Sequence, residues 1–228
     1  MIENRISFAG FCFFSEEVRK CHGIISLTEK QEIKETRMKC AIFLAKGFED
    51  CEAMITIDML RRAGVPVDTV SITDDLPVCA SHGVTVLADR CWKDIQPESY
   101  DVLILPGGKV GTENLEAFTP LMDALKNHYD QGKLTCAICA APSILGHLGM
   151  LKGKHYTCFP SFASDAYKGE YEMELAVEDG NVITGRGMGA TIEFARKIIR
   201  RLTDETTMQK LEYGMQYEHS FRDLKAPE

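Results

Sequence analysis

Nowhere among these 228 residues does an apolar run approach the roughly 18 residues needed to span a bilayer, so no stretch reads as a transmembrane helix. A basic surplus is missing too. The chain carries 34 acidic against 26 basic residues, a formal charge of -8, which is the wrong sign for nucleic acid or an anionic membrane surface as main partner. Internal repeats and low-complexity segments are absent, and the length leaves room for one α/β domain with a sizeable core but not for two of usual size. Residues 6 to 14 (ISFAGFCFF) follow Arg5 and faintly resemble the apolar part of a signal peptide. Glu16 and Glu17 come next, with no small-residue cleavage pattern, so export is not expected.

A disulfide scaffold is also excluded. The cysteines number nine, an odd count in a long chain, and most sit in or beside apolar runs. They read as reduced thiols of a cytoplasmic protein. Cys136 and Cys139 form a C-x-x-C, which admits a dithiol redox pair or half a zinc site. Cys136 lies back inside a strand, and no second cysteine or histidine pair has metal-ligand spacing, so no metal is expected.

What is present centres on Lys133 to Ser143 (KLTCAICAAPS). Leu134 to Ile138 is an uncharged run of the kind buried on both faces of a parallel sheet, and Pro142 opens a helix directly after it. Cys139 therefore falls at a strand-to-helix turn, where the small neighbours Ala140 and Ala141 permit a tight elbow. Free N–H groups and the positive end of the helix dipole lie beside such a residue, and from them a lowered thiol pKa is expected. The alternative is a small buried hydrophobe, which is what most free cysteines are.

The remaining pattern alternates strands with helices. Strands are expected at Lys39 to Ala45, Val65 to Ile72, Tyr100 to Leu105, His155 to Cys158, Glu172 to Glu178 and Asn181 to Thr184. Helices are expected at Cys51 to Ala63, at Pro120 to about Gln131 with Thr119 as N-cap, at Thr191 to Leu202, and from Asp204 to about Tyr213. Val78 to Ala88 reads as a hairpin turning at Ser81-His82-Gly83. Together these give a flavodoxin-like, doubly wound α/β sandwich, a mostly parallel sheet with helices on both faces. Residues 38–228 form the single domain of this reading, and residues 1–37 a separate extension with no clear period.

Two more strand ends run into glycine turns: Phe43 to Glu52 (FLAKGFEDCE) and Ile104 to Gly108 (ILPGG). In an open parallel sheet such ends line one crevice. With AICAAP and TGRGMGAT further on, these segments resemble, in order, the DJ-one/ThiJ/PfpI superfamily, from Met38 to about Tyr213. The resemblance is closest to the branch of parkinsonism-associated deglycases and their bacterial relatives, and implies a sandwich of the class I glutamine amidotransferase-like type.

The resemblance implies catalytic Cys139, with protonated Glu52 hydrogen-bonded to it and the N–H groups of Gly108 and Ala140 as an oxyanion hole. Gly107, Arg186 and His82 are its candidates for binding substrate or an anion, although Glu52 also suits a helix start, Gly107-Gly108 a tight turn and Arg186 a solvated surface. Many superfamily members place a histidine soon after the strand that follows the elbow, but this chain has Phe159, which speaks against a Cys-His-acid protease triad. The implied activity is cofactor-free deglycase or glyoxalase chemistry on methylglyoxal, glyoxal or their adducts with protein or nucleotide groups, carried out by a homodimer. The alternative is a redox sensor or chaperone in which Cys139 becomes a sulfinate.

Overall fold

A computed structural model of the protein describes residues 38–217, so the extension and its apolar run lie outside the described residues. The central sheet has seven strands: β1 (Cys40–Leu44), β2 (Val67–Ser71), β5 (Arg90–Cys91), β6 (Val102–Leu105), β7 (Leu134–Ile138), β10 (Ala176–Asp179) and β11 (Val182–Gly185). Their order is β10-β11-β7-β6-β1-β2-β5, and every neighbouring pair is parallel except β10 with β11. Two short ribbons stand apart, antiparallel β3 (Pro77–Cys79) with β4 (Thr85–Leu87), and parallel β8 (His155–Tyr156) with β9 (Glu170–Tyr171).

The inner strands have no polar face because helices cover the sheet on both sides. Cys40, Ile42 and Leu44 of β1 enter one apolar layer and Ala41 and Phe43 the other; in β7, Cys136 and Ile138 face the first layer and Ala137 the second. The first layer is closed by α1 (Asp50–Arg62), α5 (Thr191–Leu202) and α6 (Glu205–Met215). Ala53, Ile57 and Leu60 make one stripe of α1, and Phe194, Ala195, Ile198 and Ile199 one stripe of α5, both at helical spacing. The second layer is closed by α2 (Lys109–Ala117), α3 (Thr119–Asp130) and α4 (Pro142–His147), through Leu115, Leu121, Leu125, Ile144 and Leu145.

Three local expectations are corrected. Thr119 is not the cap of α3: Phe118 holds that place and makes no side-chain cap bond, because α2 ends at Ala117 and leaves one residue between the helices. Of the strand expected over Glu172 to Glu178 only the part from Ala176 forms, as β10, with the short β9 lying just before the expected range, and the one expected at His155 to Cys158 is the two-residue β8. Because β1, β6, β7 and β11 run parallel, their carboxyl ends bring Gly47, Gly107, Cys139 and Arg186 to the same edge of the sheet.

Candidate active site

Cys139 has a φ of 64°, the left-handed conformation that a residue with a Cβ rarely adopts. Its neighbours fix it there. The Cys139 N–H donates to the Gly185 carbonyl at 2.9 Å, at the end of β11, and its own carbonyl accepts from the Phe159 N–H at 2.8 Å. A strained residue held by hydrogen bonds on both sides is the usual mark of a nucleophile elbow.

The elbow is approached from the end of β6. A Cβ on Gly107 would lie 2.6 Å from Cys139 Cβ and 2.6 Å from Glu52 Oε2, so only glycine lets the thiol and the carboxyl share this space. Gly108 has a φ of 86°, and a Cβ there would meet the Gly47 carbonyl oxygen at 2.5 Å. From this turn the Gly108 N–H, together with that of Ala140, reaches the sulfur of Cys139.

Glu52 comes from the first turn of α1, where the Glu49 carboxylate accepts its N–H at 2.7 Å and so caps the helix. Its side chain is only 1% exposed. Oε2 accepts the Gly107 N–H at 2.8 Å, while Oε1 is buried without a regular hydrogen bond. The group beside the carboxyl is the Cys139 thiol. Burial pushes the Glu52 carboxyl up to about 7, against the lowering interaction with that thiol. Burial, then the Glu52 charge, push the thiol up to about 12, with the Gly108 and Ala140 N–H groups opposing.

The lowered thiol pKa expected from the helix dipole is therefore corrected in direction. Helix α4 has only six residues, and burial beside a carboxylate outweighs it. The two groups titrate as a pair: one proton leaves near 7, the second near 12, and between those values they share one.

Cys139, Glu52, Gly108 and Ala140 are thus brought together, and Gly107 joins them as the donor that holds the Glu52 carboxyl. His82 stands apart on the β3–β4 hairpin, 74% exposed, with Nδ1 2.9 Å from Asp50 Oδ2. Arg186 sits at the end of β11, its N–H donating to the Leu175 carbonyl at 2.9 Å, and no contact joins it to His82 among the described residues. Cys136 is fully buried in β7, so the C-x-x-C does not present two exposed thiols.

No described histidine serves the elbow: His147 pairs with Glu116 at 2.6 Å, His155 with Glu172 at 2.6 Å, and His128 with the Leu134 carbonyl at 3.1 Å. Sequence reasoning missed Gly187. A Cβ there would lie 4.0 Å from Cys139 Sγ and 3.7 Å from Phe159 Cδ2, so its backbone and the Phe159 ring flank the sulfur.

A flavodoxin-like α/β fold with a cysteine at the elbow after a central strand defines the class of this protein. The chain belongs to the DJ-1/PfpI family, which matches residues 38–201. It is 38% identical over 166 residues to Protein DJ-1 homolog B of Arabidopsis thaliana, a match covering 72% of this chain but only 38% of that protein. It is 28% identical over 167 residues to a deglycase of Pyrococcus abyssi, covering 72% of this chain and 99% of that one. The crystal structure of a mutant DJ-1 superfamily protein from Salmonella typhimurium superposes with a TM-score of 0.73 at 33% identity, covering 79% of this chain and 99% of that chain.

Proposed function

We propose that the protein is a cysteine-dependent deglycase or glyoxalase-type enzyme that turns methylglyoxal, glyoxal and their early adducts into 2-hydroxy acids without a cofactor. The observation that carries this reading is the convergence on the Cys139 sulfur of the Glu52 carboxyl and the Gly108 and Ala140 N–H groups. The relationship to a protein named a deglycase supports it.

With Glu52 ionising near 7 and the thiol only near 12, the proton between those values rests on the Cys139 sulfur; Glu52 takes it as the sulfur attacks, and the Gly108 and Ala140 N–H groups ease its release. The thiolate adds to the aldehyde carbon, an S–C bond forms, and the carbonyl oxygen takes the negative charge, then a proton from Glu52. The same N–H groups stabilise that oxygen. Glu52, now ionised, takes the proton of the former aldehyde carbon while the neighbouring carbonyl oxygen gains one, giving an enediol; it then returns its proton to the neighbouring carbon as the hydroxyl on the sulfur-bearing carbon gives up its own, which leaves the thioester of a 2-hydroxy acid. Water cleaves the thioester, releasing lactate from methylglyoxal and restoring the thiol. Lactate production by wild type, compared with Cys139→Ala, tests this.

The buried, otherwise unbonded Glu52 Oε1 supports a second reading, in which its proton is donated to a sulfinate on Cys139. The protein is further proposed to be a homodimer. An open apolar cleft of about 500 Å³, lined by Met54, Ile55, Ile192 and Met215 where α1 meets α5 and α6, supports that assembly. The seven described cysteines are all free thiols, in keeping with a reducing, cytoplasmic setting.

A further inference from the structure

The sulfur of Cys139 is closed in on the Glu52 side. There Gly107 is packed so tightly against both residues that a Cβ would come within 2.6 Å of each, and Glu52 is buried. On the other side stand the half-exposed Phe159 and Gly187. Gly187 has a φ of 163°, extended backbone open to any residue, so conformation is not what requires glycine there. What its missing side chain leaves is a gap. A methyl group at that point would sit in ordinary van der Waals contact with the ring, at 3.7 Å, and with the sulfur, at 4.0 Å, filling the space between them. The backbone that carries the Phe159 ring is anchored at the elbow, since its N–H is tied to the Cys139 carbonyl at 2.8 Å and Pro160 follows it.

From this we infer that Phe159 and Gly187 form the slot through which a carbonyl compound reaches the sulfur, and that they set its specificity for compact, unbranched 2-oxoaldehydes. The inference rests on the proposed aldehyde chemistry. A three-carbon substrate presents only a methyl group beyond its two carbonyls, whereas an aryl-substituted one must pass its ring between Phe159 and the Gly187 backbone. One side-chain carbon at 187 narrows the slot, and loss of the ring at 159 widens it. Both residues are specificity-determining and neither moves a proton.

The experiment compares wild type, Gly187→Ala and Phe159→Ala in two assays. In the first, kcat/KM is measured for methylglyoxal and for phenylglyoxal; in the second, alkylation of Cys139 by iodoacetamide and by the bulkier N-ethylmaleimide is followed by peptide mapping. Gly187→Ala is expected to keep the wild-type melting temperature within a few degrees, since the added carbon makes only ordinary contacts. It should lower the phenylglyoxal-to-methylglyoxal ratio of kcat/KM, and the maleimide-to-iodoacetamide ratio of labelling, by roughly tenfold, the scale of one misplaced methyl group. Phe159→Ala, which truncates a ring 48% exposed and so leaves the core intact, should raise both ratios by a similar factor. Ratios that stay at the wild-type value in both variants overturn the slot, and should Gly187→Ala fail to fold, Phe159→Ala decides alone. If wild type leaves both aldehydes untouched, the proposed function falls, while the labelling ratios still decide the slot.

Discussion

Glu52 accepts the Gly107 N–H at 2.8 Å through Oε2 and keeps Oε1 buried without a regular hydrogen bond, so one oxygen is fixed by backbone and the other left for a proton. The bond from Gly107 sets the direction of the carboxyl, and burial sets its protonation, with the pKa raised from 4.5 to about 7.

Glu52→Gln keeps the acceptor for Gly107 but removes the proton that must be moved. Turnover of methylglyoxal should fall by roughly 10² or more, the usual scale for a positioned acid-base group. Stability should move the other way. A carboxyl whose pKa is raised on folding holds its proton more tightly in the native state, so its contribution is fully present below 4.5 and is lost as pH rises through about 7. At pH 8 the wild type therefore carries a cost of up to roughly 3 kcal/mol that the glutamine variant lacks. Denaturant titrations of both proteins at pH 5 and pH 8 check this, and a stability difference independent of pH would contradict it.

Alkylation of Cys139 should report the shared proton. Its rate with iodoacetamide, followed by peptide mapping across pH, should rise through an inflection near 7, where Glu52 ionises and can take the thiol proton, and continue towards a second near 12, where the thiol itself ionises. The lower inflection should vanish in Glu52→Gln. Persistence of that inflection in the variant would mean that the carboxyl does not share the proton.

His128 gives a prediction away from the active site. It is 3% exposed in α3, with Nε2–H donating to the Leu134 carbonyl at 3.1 Å, and burial lowers its pKa from 6.5 to about 4. The unfolded chain binds this proton more readily than the native one, so stability is fully present above 6.5 and is lost as pH falls towards 4. The loss should reach roughly 3 kcal/mol. His128→Gln should flatten the stability profile between pH 4 and 6.5, as measured by urea unfolding, and an unchanged slope would place the acid sensitivity elsewhere.

The elements legible in the sequence are those whose burial is uniform. Leu134 to Ile138 carries no charge because both faces of β7 are covered, and α5 begins and ends where the pattern of Phe194, Ala195, Ile198 and Ile199 places it. Helix α2 was hidden by Gly108 at its N-cap and Gly111 within it. Gly111 looks like loop punctuation, yet it is the point where the helix rides on Phe48, whose Cα and N would lie 2.6 Å from an added Cβ. The direction of the Cys139 shift was equally out of reach, since the local reading sees a helix start while the burial and the Glu52 carboxylate come from distant segments. His82 matched a family position, but its hydrogen bond with Asp50 depends on how the hairpin folds over the start of α1.

Lactate formation from methylglyoxal, by wild type and Cys139→Ala prepared side by side, tests the central claim most directly. Wild type should release lactate stoichiometrically with methylglyoxal consumed, and Cys139→Ala, which keeps Glu52 and both N–H donors, should release none above the uncatalysed background. Equal lactate from the two proteins, or none from either, would contradict a cysteine-dependent enzyme of this type.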